Sequence, residues 1–218
     1  TLNQLTTPLT TDKFRGYCIL NVNNQIQEIN QLTIERPTPV YYLFNGLNVD
    51  WFNNWEQLMK IVQFRESIER ANEILLPYGF NLLNVLREKT IDRKLTLNML
   101  VCITAFQMAI VDVLRTLNVE YQGLIGYSIG ELACAYADRA LTFEQTIKCA
   151  YLRGKCIEEA RLPTGAMATI GLSWEECQKR LPVGVVLACN NHATSVTVSG
   201  PLVTIQTFVT ALTKQGIN

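Results

Sequence analysis

Gly126-Tyr127-Ser128-Ile129-Gly130-Glu131 lies between a short apolar run and a helix of small residues. Glycines two residues before and two after a serine let a strand turn sharply into a helix without side-chain clashes. Such a turn lifts the serine hydroxyl clear of the sheet, where a carbonyl substrate can reach it. It also aims the next backbone N–H, that of Ile129, and the start of the following helix at a developing oxyanion. The chemistry implied is nucleophilic attack by Ser128. The bare pattern also arises by chance at glycine-containing helix starts, so the surrounding elements must carry the reading.

The chain as a whole narrows the alternatives. Its formal net charge is +0 and no basic cluster appears, which leaves nucleic-acid binding without an electrostatic footing. The seven cysteines are odd in number and form no C-x-x-C pair, so neither a disulfide framework nor a metal site is expected. They read as buried, reduced thiols of a cytoplasmic protein. No signal peptide is visible in the polar, threonine-rich first residues. The stretch from Leu95 to Leu117 is apolar but carries Asn98, Gln107 and Asp112. It is expected to be a buried helix and no membrane span. Both ends of the chain read as cut from something longer.

The elements around Ser128 follow from periodicity. Val40 to Phe44 and Gly123 to Tyr127 are continuous apolar runs that suit buried parallel strands. Phe64, Ile68, Ala71, Ile74 and Leu75 recur at helical spacing, and the helix ends near Pro77 and Gly79. The segment from Gly130 to Ala137 continues the elbow as a helix. Thr142 with Gln145 forms a capping box for a helix running to about Arg161. Strands alternating with helices imply an α/β fold, a parallel sheet covered on both faces. After Pro163-Thr164-Gly165 the pattern becomes β-α-β-β-α. Strands are expected over Ala166–Leu172, Val185–Cys189 and Ser195–Val198, with a capping box at Ser173 and Glu176 and a last helix from Leu202. That is a ferredoxin-like unit without its last strand. Residues 1–35 read as a linker with short strand-like segments at Tyr17–Leu20 and Gln31–Ile34, residues 36–164 as the first part of the α/β core, and residues 165–218 as the incomplete small unit.

The elbow, together with Ala135-Tyr136-Ala137-Asp138, Ala150-Tyr151-Leu152-Arg153-Gly154, Gly165-Ala166-Met167-Ala168, Gly171-Leu172-Ser173-Trp174-Glu175-Glu176-Cys177 and Ser199-Gly200-Pro201, resembles the malonyl/acetyltransferase domain of animal-type fatty acid synthase. Phe14-Arg15-Gly16-Tyr17 resembles the end of the linker that follows the ketosynthase. The resemblance spans nearly the whole chain. It implies a hydrolase-like core with an inserted ferredoxin-like subdomain, and acyl transfer from malonyl-CoA or acetyl-CoA to the phosphopantetheine of an acyl carrier protein. The partners implied are that carrier protein and the adjacent ketosynthase, in a homodimeric parent. No tightly bound cofactor is implied.

By the same resemblance, Ser128 is the nucleophile and Arg153 pairs with the malonyl carboxylate through its planar fork of donors. Gln107 lines the acyl pocket, and Ile129 and Leu47 supply the oxyanion N–H groups. The family's general base is a histidine that falls beyond Asn218. His192, the only histidine, reads instead as an exposed loop residue between two strands of the small unit. The 218 residues alone are therefore expected to be nearly inactive. The chain departs from the family pattern at Tyr127, usually histidine, and in the loop that carries Leu47, at Asn48 and Asn53-Asn54, where glycines are usual, and at Asp50, where glutamine is usual. Two rival readings stay open: a degenerate acyltransferase with a structural role, and a generic serine hydrolase, against which Arg153 and the small unit argue.

Overall fold

The structure, a computed structural model, describes residues 14–20, 23, 25–33, 39–46, 55–88 and 96–217. The chain opens with an antiparallel hairpin of β1 (Phe14–Leu20) and β2 (Ile26–Thr33), longer than the two segments the sequence suggests. Then follow β3 (Tyr41–Phe44), α1 (Trp55–Leu58), α2 (Val62–Leu75), α3 (Leu82–Arg87), α4 (Thr96–Thr116), β4 (Gly123–Gly126), α5 (Gly130–Ala137) and α6 (Phe143–Glu159). β3 and β4 pair in parallel, with Tyr41 opposite Gly123 and Phe44 opposite Gly126.

The core forms around α4. Nine of its 21 residues are buried, and 56% of its most apolar window is enclosed, so this helix of membrane-spanning length is the centre of a packed core. α2 buries Phe64, Ile68, Ala71 and Leu75 against it, the spacing of one helical face. Burial of each such side chain contributes about 1.5–3 kcal/mol. α2 stops in a short 3-10 turn containing Pro77, and Gly79 closes it at φ 78. The Thr142–Gln145 capping box starts α6 as expected, with both reciprocal bonds formed.

α6 crosses α4 unusually closely. A Cβ on Gly154 would stand 2.6 Å from the Leu97 Cα, so only glycine permits this approach. Glu158, one turn further along, accepts the Leu97 N–H at 3.0 Å and satisfies a free donor at the start of α4.

Two expectations need correction. The parallel sheet is not covered on both faces among the described residues. Phe44 and Tyr42 pack into the core, whereas Tyr41 (59%), Leu43 (60%) and Ile125 (52%) remain exposed on the other face, because the helices pack on the Phe44 side. The cysteines are not uniformly buried either. Cys102 and Cys177 are, and burial pushes the Cys102 thiol up to about 12, but Cys149 and Cys156 lie exposed on α6. No disulfide joins the described cysteines.

The second group of elements has its own core, built from Ile170, Cys177, Val196, Val198, Ile205 and neighbours. It comprises β5 (Gly165–Ile170), α7 (Trp174–Gln178), β6 (Val186–His192), β7 (Ser195–Pro201) and α8 (Leu202–Thr213). Its sheet runs β5-β7-β6, with β7 antiparallel to both neighbours. The Ser173–Glu176 capping box is formed. Asn190–His192, read from sequence as loop, belongs to β6. Irregularities between Leu187 and Cys189 and between Asn190 and His192 let the strand continue to the hairpin turn.

The close crossing gives a stability prediction of definite sign. Helix propensity alone would make Gly154→Ala stabilising by about 1 kcal/mol. The contact with Leu97 makes it overpacked instead, at about 1–3 kcal/mol. Urea unfolding of Gly154→Ala should show a lower midpoint than wild type; a higher one would mean the helices do not meet here.

Candidate active site

β4 ends at Gly126, and the Tyr127 N–H donates to the Phe44 carbonyl at 2.9 Å. The next residue, Ser128, has φ 57, the left-handed region that costs an L-residue about 1–2 kcal/mol. The N–H groups of Gly130 and Glu131 then turn back to the Tyr127 and Ser128 carbonyls at 3.0 and 3.2 Å, and α5 begins. Both flanking glycines are sterically required. A Cβ on Gly126 would lie 2.7 Å from the Glu131 Cα, and one on Gly130 only 2.1 Å from the Phe44 carbonyl oxygen. The strained serine is the geometry expected of an exposed nucleophile.

The surroundings of Ser128 fit that role. Ser128 is exposed, and among the described residues its hydroxyl has no hydrogen-bond partner. The Ile129 N–H is likewise unpaired among them, at the positive end of α5. Gly46 packs against Ser128, where an added Cβ would stand 3.1 Å from the serine Cβ. Leu47, the other expected oxyanion donor, lies outside the described residues, as do Asn48, Asp50 and Asn53-Asn54.

α5 is also held at its far end. Arg115 on α4 donates to the Tyr136 and Ala137 carbonyls at 3.0 and 3.2 Å, and the Tyr121 hydroxyl donates to Ala137 at 2.9 Å. These donors satisfy carbonyls that a helix C-terminus leaves open. The Arg115 guanidinium sits over the Tyr136 ring at 4.5 Å. Burial and the Asp112 hydrogen bond push the Tyr136 phenol up to about 12.

The other expected residues fall as follows. Gln107 is half-buried on α4: its Nε2 donates to the Asn45 carbonyl at 2.7 Å, while its buried Oε1 has no partner among the described residues. It thus fixes the backbone at Asn45, just before Gly46. Arg153 is exposed on α6. The two carboxylates further along α6 are engaged elsewhere, Glu158 on the Leu97 N–H and Glu159 with Lys155 at 3.8 Å. Among the described residues Arg153 has no ion pair, which leaves both edges of its guanidinium available. His192 is exposed, and its Nδ1 accepts the Thr194 N–H at 3.4 Å. A groove of about 590 Å³ runs along β4 and α5 between Tyr121 and Asp138. Ser128, Gln107 and Arg153 do not line it, so it is separate from the serine chemistry. Among the described residues no His, Cys, Asp and Glu side chains cluster as metal ligands.

One contact was not legible from sequence spacing. The Tyr127 hydroxyl donates to Asn191 Oδ1 at 3.3 Å, across 64 residues of chain. An asparagine pair at the end of an expected strand was the only available signal, and it carried no direction.

The strain at Ser128 can be measured. Ser128→Gly removes the nucleophile and relieves the left-handed backbone, whereas Ser128→Ala removes the nucleophile and keeps the strain. Ser128→Gly should be the more stable of the two by about 1 kcal/mol in chemical unfolding. Equal stability would place Ser128 outside the left-handed region.

A family model, "Acyl transferase domain", matches residues 41–218. The highly reducing polyketide synthase pspA of Penicillium soppii is 29% identical over 209 residues, covering 91% of this chain and 8% of that synthase. Among solved structures, the acyltransferase domain from the second module of the salinomycin polyketide synthase superposes with a TM-score of 0.80 at 18% identity, over 94% of this chain and 52% of that one. The malonyl-CoA:ACP transacylase of Synechocystis sp. PCC 6803 superposes with a TM-score of 0.66 at 21% identity, over 79% of this chain and 58% of that one. The chain therefore spans about 8% of the curated relative and about half of the solved domains. The match is to the family at large and does not single out the animal fatty acid synthase. Strained serine, glycine-framed turn and family model agree: the chain belongs to the acyl transferase domain family.

Proposed function

We propose that this chain is the acyl-loading segment of a synthase of the fatty acid or polyketide type, moving malonyl or acetyl units from CoA to an acyl carrier protein. The observation that carries the reading is the left-handed Ser128 beside the Ile129 N–H, which has no partner among the described residues. In the first half-reaction the Ser128 Oγ attacks the thioester carbonyl. The oxyanion that forms is held by the Ile129 N–H, with Leu47 as the second donor. The C–S bond breaks, CoA leaves as its thiol, and an acyl ester remains on Ser128. The pantetheine thiol of the carrier protein then attacks that ester and restores the serine.

Arg153 supplies specificity. A malonyl thioester carries a carboxylate that a free planar guanidinium can hold with two parallel bonds. Gln107 acts through Asn45, keeping the oxyanion loop in place. The proton accepted from Ser128 requires a base, and we do not assign that role to His192. The sheet of β3 and β4 is read as part of a hydrolase-like core, and β5 to α8 as an incomplete ferredoxin-like subdomain. The polyketide synthase relatives support synthase membership. The adjacent ketosynthase, the homodimeric parent and the cytoplasmic setting rest on the motif resemblance.

A degenerate domain is the second reading, favoured by Tyr127 in place of the usual histidine. Intact-protein mass spectrometry separates the two. The polypeptide that carries this chain, incubated with malonyl-CoA, should gain one malonyl mass on Ser128, lost in Ser128→Ala. Arg153→Ala should cut malonyl loading about 10- to 100-fold relative to acetyl, the span of a charge-assisted hydrogen bond. Absence of any Ser128 adduct would support the structural role, and a preference for neutral esters untouched by Arg153→Ala would support a plain hydrolase.

A further inference from the structure

The two groups of elements have separate cores. Tyr127, the residue beside Ser128, reaches from the first group to the second. Tyr127 is fixed at its backbone by the Phe44 carbonyl, and its phenol donates to Asn191 Oδ1 at 3.3 Å. The Asn191 Nδ2 donates in turn to Thr197 Oγ1 at 2.9 Å. Thr197 is buried in the small core and sits on the central strand, paired with Thr169 on β5 and Cys189 on β6. A continuous relay thus runs from the nucleophile's immediate neighbour to the middle of the second sheet.

We propose that Tyr127 and Asn191 form a clasp that fixes the gap between the Ser128 elbow and the β6–β7 hairpin, and so governs which acyl groups fit on Ser128. The inference rests on the acyl-transfer reading for its substrate and on the geometry for its clasp. Three features make the clasp directional. Tyr127 cannot shift along the strand without breaking its bond to Phe44. Asn191 cannot rotate freely, because its other end is held by Thr197. Among the described residues the Asn191 amide is the only part of the hairpin end hydrogen-bonded to the elbow. Loss of the phenol hydroxyl therefore frees the hairpin to move as a unit and leaves the elbow backbone intact. Both residues are positioning residues; neither is a reacting group.

The test uses two readouts. Hydrogen exchange on the 218-residue chain reports the clasp alone. Tyr127→Phe and Asn191→Ala should each speed exchange at Asn190–Thr197, and the double variant should add nothing further. In the polypeptide that carries this chain, Tyr127→Phe should raise KM for malonyl-CoA more than it lowers kcat. The factor should be about 2- to 10-fold, the range of one neutral hydrogen bond, and nearer two because 3.3 Å is long for a hydroxyl donor. The same variant should load 2-alkylmalonyl thioesters relatively better than wild type. Unchanged exchange, or additive effects in the double variant, would overturn the clasp. Faster exchange with unchanged acyl preference would overturn its role in selection. Faster exchange with no loading of wild-type Ser128 at all would overturn the acyl-transfer reading and leave the clasp standing.

Discussion

The pressing of Gly130 onto the end of β3 is the contact on which the rest of the site depends. With a Cβ 2.1 Å from the Phe44 carbonyl oxygen, no other residue lets the first turn of α5 descend so far onto the sheet. That descent forces the chain to reverse within three residues after Gly126, and Ser128 takes up the reversal in its left-handed backbone. The cost of about 1–2 kcal/mol is small beside the burial that holds it. Ile129, Ala133, Tyr136 and Ala137 all lie in the core, and Arg115 and Tyr121 grip the far end of α5. A helix held at both ends cannot slide to relax the turn, so the strain persists where it exposes a hydroxyl.

Local signals explain what was legible in the sequence. The elbow, the two capping boxes and the long apolar helix each announce themselves within a few residues, and each appears where expected. What escaped depends on partners distant in the chain. The bare face of Tyr41, Leu43 and Ile125 reflects which side the helices choose, which periodicity within a four-residue strand cannot encode. Gln107 bonds to a carbonyl 62 residues away, and Tyr127 to an amide 64 away. The placement of Asn190–His192 in a strand turned on irregular pairing with β7 rather than on the polar character that made it read as loop. The exposed Cys149 and Cys156 share α6 with the buried Ala150 and Tyr151, so only the facing of that helix sorts them.

That Arg153 has no ion pair among the described residues has a simple energetic origin. An exposed ion pair is worth only about 0–1 kcal/mol, so leaving a surface arginine without one sacrifices little. The carboxylates further along α6 bond elsewhere. Glu158 meets a backbone donor at the start of α4, where the N–H groups have no partner within the helix. Glu159 pairs with Lys155 on its own helix. The crossing at Gly154 and Leu97 makes the first of these bonds possible, since a wider separation would carry Glu158 out of reach. One close helix contact therefore does two things: it seats α6 against α4, and it brings the Glu158 carboxylate to the start of α4. The side chains proposed to meet the substrate and to hold the oxyanion loop, Arg153 and Gln107, stand on the two helices that this contact locks together.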